Sequence, residues 1–345
     1  MKNIYGLTME NMENYFVEIG SKKFHAKQLF SWLYEKRIKS YDEVTDIKKD
    51  VIEVIKNDYS IDKLKIVDVQ RDVDVNKYLF ELSDKEHIEA VLMRHDYGNS
   101  ICVSSQVGCN MGCKFCESGR RKKVRNLEVY EMVLQILMIE EDLGERISHV
   151  VVMGIGEPFD NYDNLVNFFK IINDPKGLAI GARHITVSTC GIVPKIYEFS
   201  ELDLQINLAI SLHAPSDEVR NKIMPINRAY PLSELIPALK AYLEKTNRRI
   251  TFEYVLLSGI NDREEDALEL AKLIKGINSY VNLIPYNETN NIDFKRSSTI
   301  QIMKFYDILK KNNINVTIRR EFGSKISAAC GQLRSKKEEL WNRFI

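Results

Sequence analysis

The chain has 345 residues, of which 44% are hydrophobic and 28% are charged, and its 49 basic residues balance its 49 acidic residues. This composition is typical of a soluble globular protein with one large domain and a smaller one, and its net charge does not indicate a nucleic-acid binder. No stretch reaches the uninterrupted apolar length of a membrane-spanning helix, and the first residues lack the apolar region of a signal peptide, so we expect a cytoplasmic protein.

Residues 1–95 are predicted to form a small accessory domain. Apolar side chains recur at helical spacing near 9–20, 23–39 and 41–57, and two strand-like runs, KYLFELS and IEAVLMRH, follow as a hairpin. Residues 20–40 contain six Lys or Arg side chains and one acidic side chain, and a second basic run, RRKKVR, spans 120–125. Such runs are usually solvated faces, but two of them favour a polyanionic partner.

Residues 96–345 are predicted to form an α/β domain with a parallel sheet. The β-type runs are SICVSS, SHVVVMG, RHITVS, QINLAIS, RITFEYVLL, YVNLIPY and INVTIR. Most of these runs are separated by helical segments at 128–143, 161–173, 191–199, 232–245, 263–275 and 298–312. This alternation predicts crossover helices on a parallel sheet that is open or closed into a full or partial barrel. In such folds the functional side chains lie at the carboxyl ends of the strands.

Four of the six cysteines lie in CVSSQVGCNMGCKFC, residues 102–116. Cys109, Cys113 and Cys116 are spaced to bring three thiolates to one metal centre, without the regularity of a paired zinc ribbon. Three cysteines on a 4Fe-4S cluster leave one iron open for a small chelating cosubstrate. This spacing, with an aromatic residue at Phe115, is typical of radical S-adenosylmethionine (SAM) enzymes, in which the methionine end of SAM binds the open iron. Zinc held by these cysteines and a histidine is the alternative.

Other candidate residues follow the later strands. Gly154–Pro158 comes directly after HVVVM, where glycines allow close approach of a ligand and Glu157 could accept a hydrogen bond from the methionine ammonium. A single motif of this kind could also be an ordinary turn. Ser188 ends ITVS, Ser211–His213 ends NLAI, and Asn287 follows NLIPY. The sequence therefore predicts that all these residues meet at one rim of the sheet.

Longer motifs carry a family resemblance. They are, in chain order, CVSSQVGCNMGCKFC, VVMGIGEPFDNYDNL, HITVSTCGIVP, SLHAPSDEVRNKIMPINRAYP, NLIPYN and AACGQL. With these motifs the chain resembles the RlmN/Cfr family of radical SAM RNA methyltransferases, and residues 6–47 resemble the RlmN accessory domain. The resemblance implies a partial (β/α) barrel with a small N-terminal helical domain. It also implies a 4Fe-4S cluster and two SAM molecules per turnover, as methyl donor and radical source.

The resemblance also assigns residues to these cofactors. Cys109, Cys113 and Cys116 would hold the cluster. The positions that match SAM-binding residues are Gly156, Glu157, Ser188, Ser211, Leu212, His213 and Asn287. Cys330 matches the cysteine that receives a methyl group from the first SAM, and Cys102 matches its partner thiol.

The resemblance implies an adenine carbon as the methylated atom, and the chemistry of that atom explains why two further cysteines are needed. Carbon 2 of adenine is an electron-poor CH, so a polar methyl transfer has no route to it. A 5′-deoxyadenosyl radical would instead abstract hydrogen from the S-methyl group of Cys330, and the resulting carbon radical would add to the ring. The Cys102 thiolate would then attack the Cys330 sulfur, release the product and leave a disulfide that must be reduced. Glu89 matches the proposed proton acceptor, although a strand carboxylate is more often a surface or salt-bridged residue, and Cys190 is interpreted as a core residue.

The resemblance implies 23S ribosomal RNA as a partner, with transfer RNA as a second candidate, and an electron donor such as flavodoxin or ferredoxin. The basic runs would contact phosphates. Methylation at carbon 2, as in RlmN, is favoured over carbon 8, as in the antibiotic-resistance branch Cfr, because GLTMENMENYF, AKQLFSWLYEKR and IEAVLM look closer to RlmN. A non-catalytic zinc and RNA-binding protein, or a radical enzyme with another substrate, are the alternatives. Two departures from the family, ESGRRKKVRNL after the third cysteine and Lys325, leave room for a changed target.

Overall fold

A ten-stranded sheet forms the centre of the protein in the computed structural model, which describes residues 1–289, 292–319 and 331–333. The N-terminal part before this sheet is mainly helical, with β1 (Lys2–Asn3), α1 (Met9–Glu18), α2 (Lys23–Tyr34), α3 (Lys49–Asp58) and β2 (Tyr59–Ser60). The first two helices confirm the sequence prediction, although α2 is shorter than predicted. The third begins later than predicted because Tyr41–Glu43 forms a 3-10 turn, capped by the Ser40 side chain.

Four strands then run antiparallel to their chain neighbours: β3 (Lys65–Arg71), β4 (Val75–Glu81), β5 (His87–His95) and β6 (Gly98–Cys102). The predicted hairpin corresponds to β4 and β5. Strand β3 was not predicted, because it lies at the sheet edge with only partly buried or exposed side chains. Since β6 pairs in parallel with the next long strand, the hairpin is continuous with the main sheet. The domain boundary between residues 95 and 96 stays a prediction.

The remaining strands and helices alternate as predicted. A short antiparallel pair, β7 (Gln106–Val107) and β8 (Arg125–Asn126), encloses the cysteine loop. The elements that follow are α4 (Val129–Leu143), β9 (Ile147–Val152), α5 (Tyr162–Asn173), β10 (Ile185–Thr189), α6 (Val193–Ser200), β11 (Asn207–Ser211), α7 (Asp217–Ile223), α8 (Leu232–Thr246), β12 (Ile250–Leu256), α9 (Glu264–Leu273), β13 (Ser279–Pro285), α10 (Thr299–Lys311) and β14 (Val316–Ile318). The sheet order is β14-β13-β12-β11-β10-β9-β6-β5-β4-β3.

The two faces of the parallel strands differ in polarity. Val150, Val187 and Leu208 point outward and are fully buried in the main core, together with helix residues such as Phe168 and Leu239. The alternate residues, which face inward, include partly buried polar side chains because side chains alternate between the faces of a strand. The helices therefore cover the outer face, and the inner face is left for a ligand.

The sheet curves around this inner face. Val91 and Met93 of β5 line the same cavity as Glu253 of β12 and Ile284 of β13, although several strands lie between them in the sheet. Strands so far apart in sheet order can border one cavity only if the sheet bends into part of a barrel. The predicted partial (β/α) barrel is confirmed. None of the described helices is long and apolar enough to cross a membrane.

Candidate active site

A cavity opens at the carboxyl ends of the parallel strands, where the sequence predicts the functional residues to meet. The predicted residues that line it are Cys102, Cys109, Cys113, Cys116, Gly156, Glu157, Ser188, Ser211 and His213. Three further predicted residues, Glu89, Leu212 and Asn287, are buried without lining it. Cys330 lies outside the described residues. The prediction of one rim therefore brings together most of the described candidates.

The loop that carries the three cysteines is fixed by backbone hydrogen bonds. The N–H of Cys109 donates to the carbonyl oxygen of Arg121 at 2.9 Å, and the N–H of Cys116 donates to that of Cys113 at 3.2 Å. Gly108 has φ +74°, and a Cβ there would lie 2.3 Å from the carbonyl oxygen of Lys122, so this turn requires glycine. The loop therefore folds locally into a shape that turns its thiols toward the cavity.

The thiols of this loop suit a metal cluster. Cys109, Cys113 and Cys116 carry free thiols. Burial raises the pKa of Cys109 to about 12 and raises the pKa of Cys113 and Cys116 above the usual range, so their thiolates need a bound cation. No three His, Cys, Asp or Glu side chains among the described residues are grouped closely enough to hold a single metal ion. All three cysteines line one cavity, and three cysteine ligands are the set that would leave one iron of a 4Fe-4S cluster open.

Glu157 is held firmly at the rim. Its carboxylate is buried and accepts hydrogen bonds from the N–H of Phe159 at 3.0 Å and from the N–H of Cys190 at 2.8 Å. Burial raises the pKa of Glu157, and these hydrogen bonds oppose that shift because they stabilise the charged form. The carboxylate is therefore oriented in the cavity before any ligand binds.

The glycines before Glu157 have a structural reason that the sequence did not reveal. A Cβ on Gly154 would lie 2.7 Å from the backbone of Val103, and a Cβ on Gly156 would lie 2.6 Å from the Cβ of Gln106. Gly156 also has φ +113°, where side chains are strained. These glycines allow the turn to pack against the strand end that leads to the cysteine loop.

Two serines and a histidine form the next part of the rim. The hydroxyl oxygens of Ser188 and Ser211 lie 3.3 Å apart on neighbouring strands. His213 is buried with φ +56°, and its Nδ1 accepts a hydrogen bond from the N–H of Val255 at 3.0 Å. Burial, with a smaller effect of Arg220, lowers the pKa of His213 to about 3, so the imidazole is neutral at physiological pH.

Arg220 supports these rim segments and was missed by sequence reasoning. It lies on α7 and is fully buried. Its guanidinium donates to the carbonyl oxygens of Leu212 at 3.1 Å and Cys190 at 2.6 Å, and to the side-chain oxygen of Asn227 at 2.8 Å. Neither the short helix nor the charged residue gave a signal, because the acceptors of the guanidinium lie on chain segments outside α7.

Cys102 and Glu89 lie on the opposite side of the cavity from β12. Cys102 pairs with Val91 across β6 and β5, and both line the cavity. Glu89 is two residues before Val91 and therefore on the same face of β5. It is 2% exposed and forms an ion pair with the equally buried Lys77 at 3.3 Å. The salt-bridged interpretation of Glu89 is confirmed, and its role as a proton acceptor stays a prediction.

The chain returns to this side of the cavity directly after Cys330. The carbonyl oxygen of Gly331 accepts from the N–H of Glu117 at 2.9 Å, and that of Leu333 accepts from the hydroxyl of Ser118 at 2.9 Å. Leu333 packs in a cluster with Val75, Val91 and Met93. The divergent loop ESGRRKKVRNL thus contacts the residues that follow Cys330, whereas Lys325 lies outside the described residues.

Cys190 and the basic run RRKKVR also have defined environments. Cys190 is buried and packs with Phe115 and Val255, which confirms its interpretation as a core residue, and it lines the cavity as well. In the basic run, Arg121 pairs with Glu86 at 2.6 Å, Lys123 with Asp160 at 2.6 Å, and Arg125 with Glu131 at 2.7 Å. Phosphate groups would compete with these carboxylates for the three side chains.

Known proteins share this arrangement over nearly the whole chain. Residues 103–271 match the radical SAM superfamily, and residues 2–61 match the ribosomal RNA large subunit methyltransferase N-terminal domain. A probable dual-specificity RNA methyltransferase RlmN from Enterococcus faecalis is 55% identical, with 99% of each chain covered. The protein of the same name from Spiroplasma citri is 54% identical, with 98% of this chain and 99% of that one covered.

A solved structure agrees with these relatives. The crystal structure of a radical SAM methyltransferase from Sphaerobacter thermophilus has a TM-score of 0.91 and 40% sequence identity, and it covers 97% of this chain and 99% of its own. The cysteine loop, the partial barrel and the N-terminal helices therefore agree with one assignment. The chain belongs to the RlmN family of radical SAM RNA methyltransferases.

Proposed function

We propose that the protein methylates carbon 2 of an adenosine in 23S ribosomal RNA, with transfer RNA as a second candidate substrate, through a methylated Cys330. One observation carries this proposal: the cysteine loop, the Glu157 rim, Cys102 and the residues after Cys330 all border one cavity. The RlmN relatives, whose printed names describe dual-specificity RNA methyltransferases, support the substrate class.

The residues of the cavity divide into two groups. Cys109, Cys113 and Cys116 would hold a 4Fe-4S cluster, and the rim from Gly156 to His213 would bind SAM. When bound, the cluster supplies a reducing electron and the two SAM molecules supply a methyl group and radical chemistry. The neutral His213 and the fixed Glu157 carboxylate would orient SAM without reorganisation of the protein.

The two remaining thiols, Cys102 and Cys330, would perform the transfer. Cys330 would carry the methyl group, and after loss of one hydrogen atom its methylene carbon would become bonded to carbon 2 of the base. The adduct radical would then give up the carbon 2 proton and return one electron to the cluster, which would restore the aromatic ring. The Cys102 thiolate would then attack the Cys330 sulfur, so that the bond from sulfur to carbon breaks, its electron pair stays on carbon and a proton completes the methyl group. The disulfide formed would take two electrons from a reductant such as flavodoxin or ferredoxin before the next turnover.

Glu89 would accept the proton that leaves carbon 2. Its carboxylate is on the same face of β5 as Val91 and lies close to the cavity without lining it, so a small shift of its side chain would be needed. Lys77 would hold the Glu89 carboxylate in place by pairing with it. The target adenosine would have to be unstacked or flipped out of the RNA, because a stacked base cannot enter the cavity.

We expect a cytoplasmic protein.

The proposal is tested by trapping the covalent intermediate. Cys102→Ala removes the thiol that releases the product, so the reconstituted variant should accumulate an RNA-linked protein that migrates slowly on a denaturing gel and is sensitive to ribonuclease. Cys190→Ala is the matched control, because Cys190 also lines the cavity but has no role in release. A Cys102→Ala protein that releases methylated RNA at the wild-type rate would refute the two-cysteine scheme.

A further inference from the structure

Glu253 lies inside the barrel at a position that neither the motifs nor the family resemblance assigns. It is on β12, and its register partners on the neighbouring strands are Ser211 and Asn282. It lines the same cavity as Ser188 and Ser211, yet its side chain is nearly inaccessible, with 4% of the residue exposed. Glu253 therefore extends the row of polar rim residues by one strand.

The carboxylate of Glu253 has one oxygen without a hydrogen bond. Its Oε1 accepts from the side-chain amide of Asn282 at 2.9 Å. Its Oε2 is buried and accepts no hydrogen bond, although it forms an ion pair with Nη1 of Arg319 at 3.8 Å, a distance too long for a hydrogen bond. Burial raises the pKa of Glu253, whereas Arg319 and Asn282 act in the opposite direction. A buried carboxylate oxygen is strongly unfavourable without a donor, so a ligand donor at this point would stabilise it.

A ligand group that donates a hydrogen bond to Glu253 would lie next to Ser211, because the two residues are neighbours on adjacent strands and line the same cavity. Cys102, which would release the methylated product, lies across the barrel on β6, so the transferred methyl carbon is not the group that we expect at Glu253. Vicinal hydroxyls of a ribose are good partners for a carboxylate, and acidic side chains commonly recognise nucleosides in this way. Both SAM and the target nucleotide bring an adenosine ribose into this cavity under the proposed function.

We propose that Glu253 is an adenosine-binding residue whose Oε2 accepts a hydrogen bond from a ribose hydroxyl. Asn282 fixes the carboxylate by bonding Oε1, so Oε2 remains aimed at the ligand. This inference rests on the proposed function, because that function places adenosine groups in the cavity. It adds a ligand contact on β12 to the rim that the sequence motifs define.

The test compares wild type and Glu253→Gln by equilibrium binding of SAM to protein with a reconstituted cluster, without RNA. The variant keeps the size of the side chain and loses the charge. Where the ribose belongs to SAM, loss of a hydrogen bond to a charged group predicts that the variant binds SAM about tenfold more weakly or worse. The SAM analogue that lacks the hydroxyl bonded to Glu253, either the 2′- or the 3′-hydroxyl, should bind wild type about as weakly as SAM binds the variant. The variant should bind that analogue and SAM with equal affinity. Thr251→Val, the preceding inward residue of β12, is the control and should leave all affinities unchanged.

A second arm identifies the source of the ribose. RNA with a 2′-deoxyadenosine at the target position is compared with unmodified RNA in binding to both proteins. If removing a SAM hydroxyl weakens binding to wild type but not to the variant, and the RNA hydroxyl has no such effect, the contact is assigned to SAM. If only the RNA hydroxyl has this effect, the contact is assigned to the target nucleotide. Equal binding of SAM and its two deoxy analogues to wild type, together with equal binding of the two RNAs, overturns the proposal even if the variant does not fold. Wild-type protein that binds SAM through this contact but methylates no RNA would refute the proposed function and leave this inference standing.

Discussion

Replacing Arg220 by methionine should destabilise the protein, because the rim segments at Cys190 and Leu212 lose the side chain that holds them together. The wild-type guanidinium makes three good hydrogen bonds, to Leu212, Cys190 and Asn227, and it is fully buried. Hydrogen bonds to a charged group contribute about 1.5–3 kcal/mol each, whereas burying the charge costs several kcal/mol. The net loss expected from Arg220→Met is therefore about 3 kcal/mol, since two buried carbonyl oxygens also lose their donor.

Thermal unfolding of the metal-free protein, followed by circular dichroism, measures this loss. For a chain of 345 residues, whose unfolding entropy at Tm is about 0.7 kcal/mol/K, a loss of about 3 kcal/mol corresponds to a fall in Tm of roughly 4 °C. Lys222→Met on the same helix is the control, because Lys222 is 61% exposed and pairs only with Glu218, so its Tm should change by less than about 2 °C. Arg220→Lys should resemble Arg220→Met, because an ammonium cannot reach three separated acceptors. A Tm for Arg220→Met within 2 °C of wild type would refute the structural role given to Arg220.

Three further predictions concern the cavity and the N-terminal helices. Gly156→Ala should weaken SAM binding more than tenfold, because its Cβ would lie 2.6 Å from Gln106, whereas Gly144→Ala, with a similarly positive φ but open space around it, should retain SAM affinity. Because burial lowers the pKa of His213 from 6.5 to about 3, the unfolded chain binds the extra proton below about pH 6.5, and the unfolding free energy of wild type should fall by up to about 1.4 kcal/mol per pH unit for this group. His213→Asn, which tolerates the positive φ, should show a shallower fall in urea titrations at pH 6.5 and 5.5; equal slopes would contradict the neutral imidazole. Lys36→Gln on the basic N-terminal segment should lower RNA affinity and reduce the salt slope by about one, whereas Lys304→Gln on α10 should change neither.

The sequence predicted those parts of the site that lie in recognisable motifs directly after predicted strands. The cysteine spacing and the polar residues after β9, β10 and β11 were enough to locate the rim of the cavity, because parallel strands bring their carboxyl ends to one edge of the sheet. Arg220 and Glu253 were not predicted. A charged side chain becomes a buried structural or ligand-binding group through partners on other elements, here Asn227 and Asn282, and no local pattern encodes those contacts.

The same limit applies to the N-terminal part and to the glycines. Apolar spacing predicted α1 and α2, but a Ser40 cap converts the expected start of the third helix into a 3-10 turn. Gly154 and Gly156 were assigned to ligand approach, whereas their nearest neighbours are the chain segments at Val103 and Gln106. The glycines correctly indicated a close contact at this turn, but only the folded structure shows that the contact is with another part of the chain.

The most direct test of the account is nucleoside mass spectrometry of unmodified 23S ribosomal RNA after anaerobic incubation with the reconstituted protein, SAM and a reductant. The account predicts 2-methyladenosine that depends on Cys102 and Cys330. 8-Methyladenosine would contradict the assignment to carbon 2, and the absence of any methyladenosine from protein with a verified cluster would contradict 23S ribosomal RNA as the substrate.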